Sequence, residues 1–479
     1  MRLNQLLAGV ALTERRAGDV ECSGICYDTR TMEPGCLFVA LPGYKTDGHK
    51  YIAQALEQGA AAVLCQHPPE GEGPWLVTPD ARAALAAVSA NWFGHPARDL
   101  TLLAVTGTNG KTTTTYLLKA MLEGVLGARV GLIGTNQNMV GEEVLPAHRT
   151  TPESYEVQQL LREMADAGCT HVVMEASSHA LVLHRLDGLR FRAGIFTNLT
   201  QDHLDFHGTM EAYRDAKGLL FRQSDTAVLN LDDEAGRYFA RTVAVPKLTY
   251  SERRDEADLT AKNLRLFPDR VEFETVARGE IARVRLPIPG GFTVYNALGV
   301  LSCGLALGLP LDACAAALAK APGVKGRIEV VPVPADFAVI IDYAHTPDAL
   351  ENILTAVRDF TAGRVICLFG CGGDRDRTKR PQMGAIAGSL ADVAVVTSDN
   401  PRTEEPEAII RDILPGLEGT AAEVVVEPDR RAAIRRALSL AKSGDTVVLA
   451  GKGHETYQEV GTQVLHLDER EEVAAYFAS

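Results

Sequence analysis

Residues Thr106-Gly107-Thr108-Asn109-Gly110-Lys111-Thr112-Thr113 have the types and spacing of a phosphate-binding loop. Glycines let backbone N–H groups approach phosphate oxygens, and a helix opening at the loop adds positive potential. In this reading Gly107, Thr108, Asn109, Gly110 and Thr113 cradle the phosphates, Lys111 neutralises their charge, and the Thr112 hydroxyl meets Mg²⁺. The longer form of the loop carries a further glycine where this chain has Val105, so this is the shorter GTNGKT form. The loop implies a nucleotide without naming a reaction.

Downstream, VVMEASSH supplies Glu175, Ser177 and His179, and IFTNLTQDHLDFHG supplies Asn198, Asp202, His203 and Asp205. Both clusters follow apolar runs, and ligands of open α/β sheets bind beyond the carboxyl ends of strands. Glu175 suits Mg²⁺, because hard cations take carboxylate oxygens. His203 is a less usual Mg²⁺ ligand, and a lone histidine is more often a hydrogen-bonded core residue. Lys217, in EAYRDAKGLLF, reads from its surroundings as a solvated lysine on a helix. The set meets the minimum for a kinase or ATPase: a phosphate loop, Mg²⁺ ligands and charges to orient an acceptor.

The elements that must position these residues alternate. LTLLAVTG, ARVGLIG, THVVMEAS, RAGIFTN and TAVLNLD are apolar strand candidates with helical patterns between several of them. Such alternation predicts a mostly parallel sheet with helices on both faces. The stretch from about Ala257 to Pro289 alternates polar and apolar residues and predicts an antiparallel excursion at that domain's edge. Before it, CLFVAL, AAVLC and a helical pattern from Tyr51 form a smaller α/β section. After it, AVIIDYA, RVICLFG, ADVAVVTSDN, EVVVEPD and DTVVLAGKG form another. The 479 residues thus divide into three α/β domains, 1–98, 99–325 and 326–479.

Composition agrees with a globular protein, at 46% hydrophobic and 23% charged residues. The net charge of −14 argues against a general nucleic-acid binder. No run is long and apolar enough to span a membrane, and the N-terminus lacks a signal-peptide pattern. The nine scattered cysteines read as reduced, buried thiols of a cytoplasmic protein. The i,i+4 pairs Cys22/Cys26 and Cys367/Cys371 lack the neighbours a metal site needs.

GTNGKTT, MEASSH, TNLTQDHLDFHG, YRDAK, YNAL, GRIE, DYAHTPDAL, GGDRDRTKRPQMG, TSDNPRTEEP and AGKGHETYQ occur in this order. With them the chain closely resembles the Mur ligase family over nearly its whole length, the first hundred residues more weakly. The resemblance implies an N-terminal UDP-sugar-binding α/β domain, a central P-loop parallel-sheet ATPase domain and a C-terminal Rossmann-like domain that brings the amino acid. It implies that ATP phosphorylates a substrate carboxylate and that an amine attacks the acyl phosphate. Lys111, Glu175, His203 and Lys217 resemble the catalytic residues. Thr112, Glu175, His203 and Lys217 would surround Mg²⁺, Lys217 after carbamylation, which turns an ammonium into an oxyanion. Asn296 resembles the adenine-side contact, and Arg327, Asp342 and His345 resemble further ATP contacts.

For the UDP-sugar, the resemblance points to Thr29, to Tyr44, Lys45 and Thr46, and to Thr150, Thr151, Ser177 and Arg185. Arg149 and Leu183 depart from the family pattern, standing where relatives carry Asn and Gln. Asp399-Asn400-Pro401-Arg402 resembles the diaminopimelate-adding group, whose lysine-adding relatives lack the arginine. Diaminopimelate is lysine with a further carboxylate, which Arg402 can grip as a bidentate fork with help from Arg375. Gly451 and Glu455 match residues that hold the distal amino group. The implied reaction adds meso-2,6-diaminopimelate to UDP-N-acetylmuramoyl-L-alanyl-D-glutamate during peptidoglycan precursor synthesis, by a cytoplasmic monomer. The alternatives are a lysine-adding relative, folylpolyglutamate synthetase and a non-catalytic nucleotide-binding protein. The DNPR sequence opposes the first, the N-terminal domain the second, and the full set of catalytic residues the third.

Overall fold

The structure, a computed structural model, describes residues 1–43, 46–277 and 279–478. By compactness they form two units: Met1–Tyr250 with Ser302–Leu309, and Ser251–Leu301 with Pro310–Ser479.

The first unit opens with a five-stranded sheet of β1 (Glu14–Arg15), β2 (Ile25–Cys26), β3 (Leu37–Val39), β4 (Ala62–Cys65) and β5 (Trp75–Val77), in the order β1-β5-β4-β3-β2. β2 to β5 run parallel and are buried along their length, as their uninterrupted apolar residues require. The helix Ala81–Trp92 is capped by the Asp80 carboxylate and sets Leu85 and Val88 in a core with Leu37, Val39, Leu64 and Leu76. The helix expected from Tyr51 starts one turn earlier. Asp47 caps a 3₁₀ turn, Gly48–Tyr51, that leads into the α-helix Ile52–Glu57.

Eight strands of this unit build its larger sheet. β6 (Thr101–Thr106), β7 (Val130–Ile133), β10 (His171–Glu175), β11 (Phe191–Phe196), β12 (Ala227–Asn230) and β13 (Lys247–Ser251) pair in parallel, and β8 (Asn138–Val140) and β9 (Glu143–Leu145) add an antiparallel hairpin. The order is β13-β12-β11-β6-β10-β7-β8-β9. The strands expected at LTLLAVTG, ARVGLIG, THVVMEAS, RAGIFTN and TAVLNLD all form. Register places Thr106 beside Phe196 and Val105 beside Glu175, so β6, β10 and β11 end at one edge. The helix Lys111–Leu126 follows β6 directly, and Gly127 in the left-handed region ends it.

In the second unit the expected antiparallel excursion is the meander β14 (Leu259–Phe267), β15 (Arg270–Ala277) and β16 (Glu280–Leu286). Every second residue of β15 is buried, the period of a strand with one covered face. A second sheet comprises β17 (Glu329–Val331), β18 (Ala338–Asp342), β19 (Val365–Phe369), β20 (Val393–Val396), β21 (Glu423–Val426) and β22 (Thr446–Ala450), in the order β17-β18-β22-β19-β20-β21. All but β17 are parallel. A hairpin of β23 (Tyr457–Val460) and β24 (Gln463–His466) follows.

All nine cysteines are buried free thiols, as expected. Among the described residues, no helix is long and apolar enough to cross a membrane.

Candidate active site

In the first unit the phosphate loop lies between β6 and the helix Lys111–Leu126. It is fastened to the segment after β11. Thr108 N donates to Asn198 O and Asn109 N to Asn198 Oδ1, both at 2.9 Å, and Thr197 Oγ1 donates to Asn109 O at 2.6 Å. Lys111 Nζ curls over the loop and donates to Gly107 O and Thr108 O at 3.0 and 2.9 Å. A Cβ at Gly107 would fall 1.8 Å from Thr197 Oγ1, so only glycine allows this approach. Gly107→Ala should therefore fold with a lowered melting temperature, losing about 1–3 kcal/mol to overpacking. It should also show a smaller thermal shift with an ATP analogue than the unmodified protein, and an equal shift would contradict the loop's role.

Glu175, 1% exposed, ends β10 beside this loop. Its Oε1 accepts from Thr112 Oγ1 at 3.0 Å and from Thr135 N at 2.8 Å, and Oε2 lies 3.0 Å from Thr135 Oγ1. A hydroxyl and a carboxylate at the mouth of a phosphate loop are the oxygen donors that Mg²⁺ takes, so these residues fit the ion. No group of three or more His, Cys, Asp or Glu side chains suited to a metal occurs among the described residues. Mg²⁺ usually relies on one or two carboxylates plus phosphate and water, which agrees with the sparse donor set.

His203 sits in the left-handed region at φ 53°, just ahead of the short helix Leu204–His207. Its ring stands edge-on to His179, with centroids 4.9 Å apart, and its Nε2 lies 3.4 Å from Asp202 Oδ2. Burial lowers its pKa.

Lys217 corrects the expectation of a solvated lysine: it is 1% exposed. Its ammonium lies over the Tyr213 ring at 4.3 Å. Burial lowers its pKa well below the ordinary lysine value, and the nearby Lys111 lowers it further, against Asp202 and Asp233.

Sequence reasoning passed over Tyr213 and Thr135. Tyr213 precedes Lys217 by one helical turn and lies 3.2 Å from Thr108 Oγ1, so the i,i+4 spacing was the available signal. Thr135 follows Gly134, where a Cβ would stand 2.6 Å from Glu175 Oε1.

Thr150, Thr151, Ser177 and Arg185 come together near Glu175. Thr151 Oγ1 is 2.7 Å from Glu175 O and 3.2 Å from Ser177 Oγ, Thr150 Oγ1 is 3.0 Å from Thr135 Oγ1, and Arg185 Nη1 donates to Thr151 O at 3.0 Å. Arg82, Arg149 and Arg185 all pair with Glu153. The departure at Arg149 thus adds a guanidinium to a basic cluster. Thr29 is half-buried, with Oγ1 3.4 Å from Gln54 Oε1, and Thr46 Oγ1 lies 3.4 Å from Tyr51 OH. Tyr44 and Lys45 lie outside the described residues.

The second unit holds the remaining candidates. Asn296 is buried in the helix Phe292–Ala306. The Arg327 guanidinium lies 5.0 Å from the Tyr343 ring centroid, Asp342 Oδ2 accepts from Ile328 N at 2.7 Å, and His345 Nδ1 is 2.7 Å from Tyr343 O.

The loop after β20 carries Asp399, Asn400, Pro401 and Arg402, and the turn after β22 carries Gly451 and Glu455. Arg402 is in the left-handed region at φ 51°, with Nε 2.7 Å from Glu459 Oε2 and Nη1 donating to Gly373 O at 2.9 Å. Arg375 donates to Asp374 O at 3.3 Å. Asn400 Nδ2 donates to Glu455 Oε2 at 3.1 Å, and a Cβ at Gly451 would stand 3.3 Å from Asp399 Oδ2. The edge therefore presents arginines beside carboxylates, an arrangement suited to an amino acid charged at both ends.

Family models match three stretches: "Mur ligase family, catalytic domain" at 21–91, "Mur ligase middle domain" at 105–304 and "Mur ligase, glutamate ligase domain" at 326–453. A UDP-N-acetylmuramoyl-L-alanyl-D-glutamate–2,6-diaminopimelate ligase of Clostridium botulinum is 45% identical, over 98% of each chain. The ligase of that name from Caldanaerobacter subterraneus is 46% identical, over 100% of this chain and 99% of its own. A solved structure of a ligase of that name superposes with a TM-score of 0.69 at 34% identity, covering 95% of each chain. The chain belongs to the Mur ligase family.

Proposed function

We propose that this chain is an ATP-dependent ligase that joins 2,6-diaminopimelate to UDP-N-acetylmuramoyl-L-alanyl-D-glutamate, a step of peptidoglycan precursor synthesis. The observation that carries the reading is the edge formed by Asp399, Asn400, Arg402 and Glu455, which offers both an arginine and carboxylates to one small zwitterion. Near full-length relatives that carry this activity in their names support it.

In this reaction ATP activates the D-glutamyl carboxylate as an acyl phosphate, and the amine of diaminopimelate displaces phosphate. Mg²⁺, when bound, supplies positive charge to the crowded phosphate oxygens. The chain does the rest. Gly107 to Thr113 hold the phosphates with backbone N–H groups, and Lys111 offsets charge as it builds. Thr112 and Glu175 would hold the ion, with His203 and Lys217, once carbamylated, as further donors. Asn296, Arg327, Asp342 and His345 hold the nucleoside side. Thr29, Tyr44, Lys45, Thr46, Thr150, Thr151, Ser177 and Arg185 hold the UDP-sugar, and the arginines around Glu153 favour its anionic groups. Arg402 and Arg375 grip the distal carboxylate of diaminopimelate, and Asp399, Asn400, Pro401, Gly451 and Glu455 receive its distal amino end.

The domains are 1–98, 99–325 and 326–479, and each of the three family matches falls inside one of them. The protein acts as a cytoplasmic monomer. Incubation with the UDP-muramoyl dipeptide, ATP, Mg²⁺ and diaminopimelate should yield one phosphate per product, with the product heavier by one diaminopimelyl residue. Phosphate release that is indifferent to the amino acid would overturn the assignment.

A further inference from the structure

Lys452 is 0% exposed, yet its ammonium is not spent on the sheet that buries it. Nζ donates to Asn400 Oδ1 at 2.7 Å and to Glu455 Oε2 at 2.9 Å, and lies 3.6 Å from Asp399 Oδ1. The Tyr457 ring closes over it at 5.2 Å. Asn400 Oδ1 also accepts from Glu459 N at 3.0 Å, so the amide has one orientation, with Nδ2 directed at Glu455 Oε2. Two carboxylates at this spot would repel each other without a cation between them. With one ammonium present the cluster keeps an excess negative charge. Asp399 Oδ1 is buried and has no hydrogen-bond partner. A second ammonium, brought by a ligand, would supply both the missing charge and the missing donor.

The backbone at this edge is anchored separately. Arg430 and Glu469, both 0% exposed, pair at 2.8 Å. Arg430 also donates to Ser398 O at 3.1 Å and Ala450 O at 2.8 Å, the residues just before Asp399 and Gly451. Arg430 thus ties the segments that leave β20 and β22 together, and Lys452 orients the side chains that they carry.

We infer that Lys452 is a positioning residue for the incoming amino acid: its ammonium holds Glu455 and Asn400 so that Asp399 and Glu455 together receive the ammonium group of the substrate. The inference rests on the function proposed above. In the full-length protein, Lys452→Met should raise KM for diaminopimelate about tenfold or more, the scale of losing a charged hydrogen bond. KM for ATP and for the UDP-muramoyl dipeptide should stay within about twofold, and Lys452→Arg should recover part of the loss. An unchanged KM for diaminopimelate, or equal losses for all three substrates with no recovery in Lys452→Arg, would overturn the role. If Lys452→Met does not fold, Lys452→Gln carries the same test. Failure of both to fold would also count against it, because Arg430 is then not sufficient to hold the edge. Should the unmodified protein use lysine and refuse diaminopimelate, the proposed specificity fails while the role of Lys452 is still read, as the same KM shift for lysine.

Discussion

Lys217→Ala should lower ligation by at least about 10²–10³-fold, the scale of removing one preorganised charge-stabilising group from an active site. The lysine is 1% exposed and stacked over Tyr213, with Lys111 close enough to disfavour its ammonium form. Burial beside a second cation shifts it toward the neutral amine, the form that adds CO₂. The amine nitrogen bonds to the carbon of CO₂, a proton leaves to solvent, and the resulting carbamate carries oxygens fit for Mg²⁺. The alanine variant keeps the space and loses the oxygens, so short carboxylic acids added at high concentration should restore part of the rate. Phosphate release would be followed with and without added acid. A variant that runs at the original rate would remove Lys217 from the mechanism.

Arg402→Ala should weaken diaminopimelate by about 2–5 kcal/mol, the range for truncating one partner of a buried charge pair, or roughly 30- to 5,000-fold in KM. Arg402 is built to be rigid. Glu459 holds Nε, Gly373 O holds Nη1, and the left-handed backbone at φ 51° fixes the direction in which the fork leaves the chain. That conformation is disfavoured for a residue with a side chain, and strain of this kind persists where surrounding bonds enforce it. Lysine lacks the distal carboxylate, so its weak use should change by less than about threefold. Equal effects on both amino acids, or an unchanged KM for diaminopimelate, would contradict the assignment.

Much of the fold was legible because the central strands of both main sheets are buried on both faces and stand out as apolar runs. β6, β10 and β11 were readable in this way, and the polar clusters at their ends marked the edge where Glu175 and the phosphate loop meet. The hairpin Tyr457–His466 was not, because its strands are short and largely exposed, and so carry no apolar run. Lys217 was misjudged from its surroundings because helical spacing does not say what covers a helix face. The bonds of Lys452 to Asn400 join residues 52 positions apart, and those of Arg430 to Glu469 join residues 39 apart. Nothing local in the chain announces such pairs. The same holds for Arg149, whose departure from the family pattern was visible while its convergence with Arg82 and Arg185 on Glu153 was not.

Selection of diaminopimelate over lysine is assigned to this edge. Its most direct test is the ratio of kcat/KM for diaminopimelate to that for lysine, measured by phosphate release with the UDP-muramoyl dipeptide, ATP and Mg²⁺. A site whose arginines find no carboxylate on lysine to grip should give a ratio on the order of 10³ or more. A ratio near one, or turnover with lysine alone, would contradict the account.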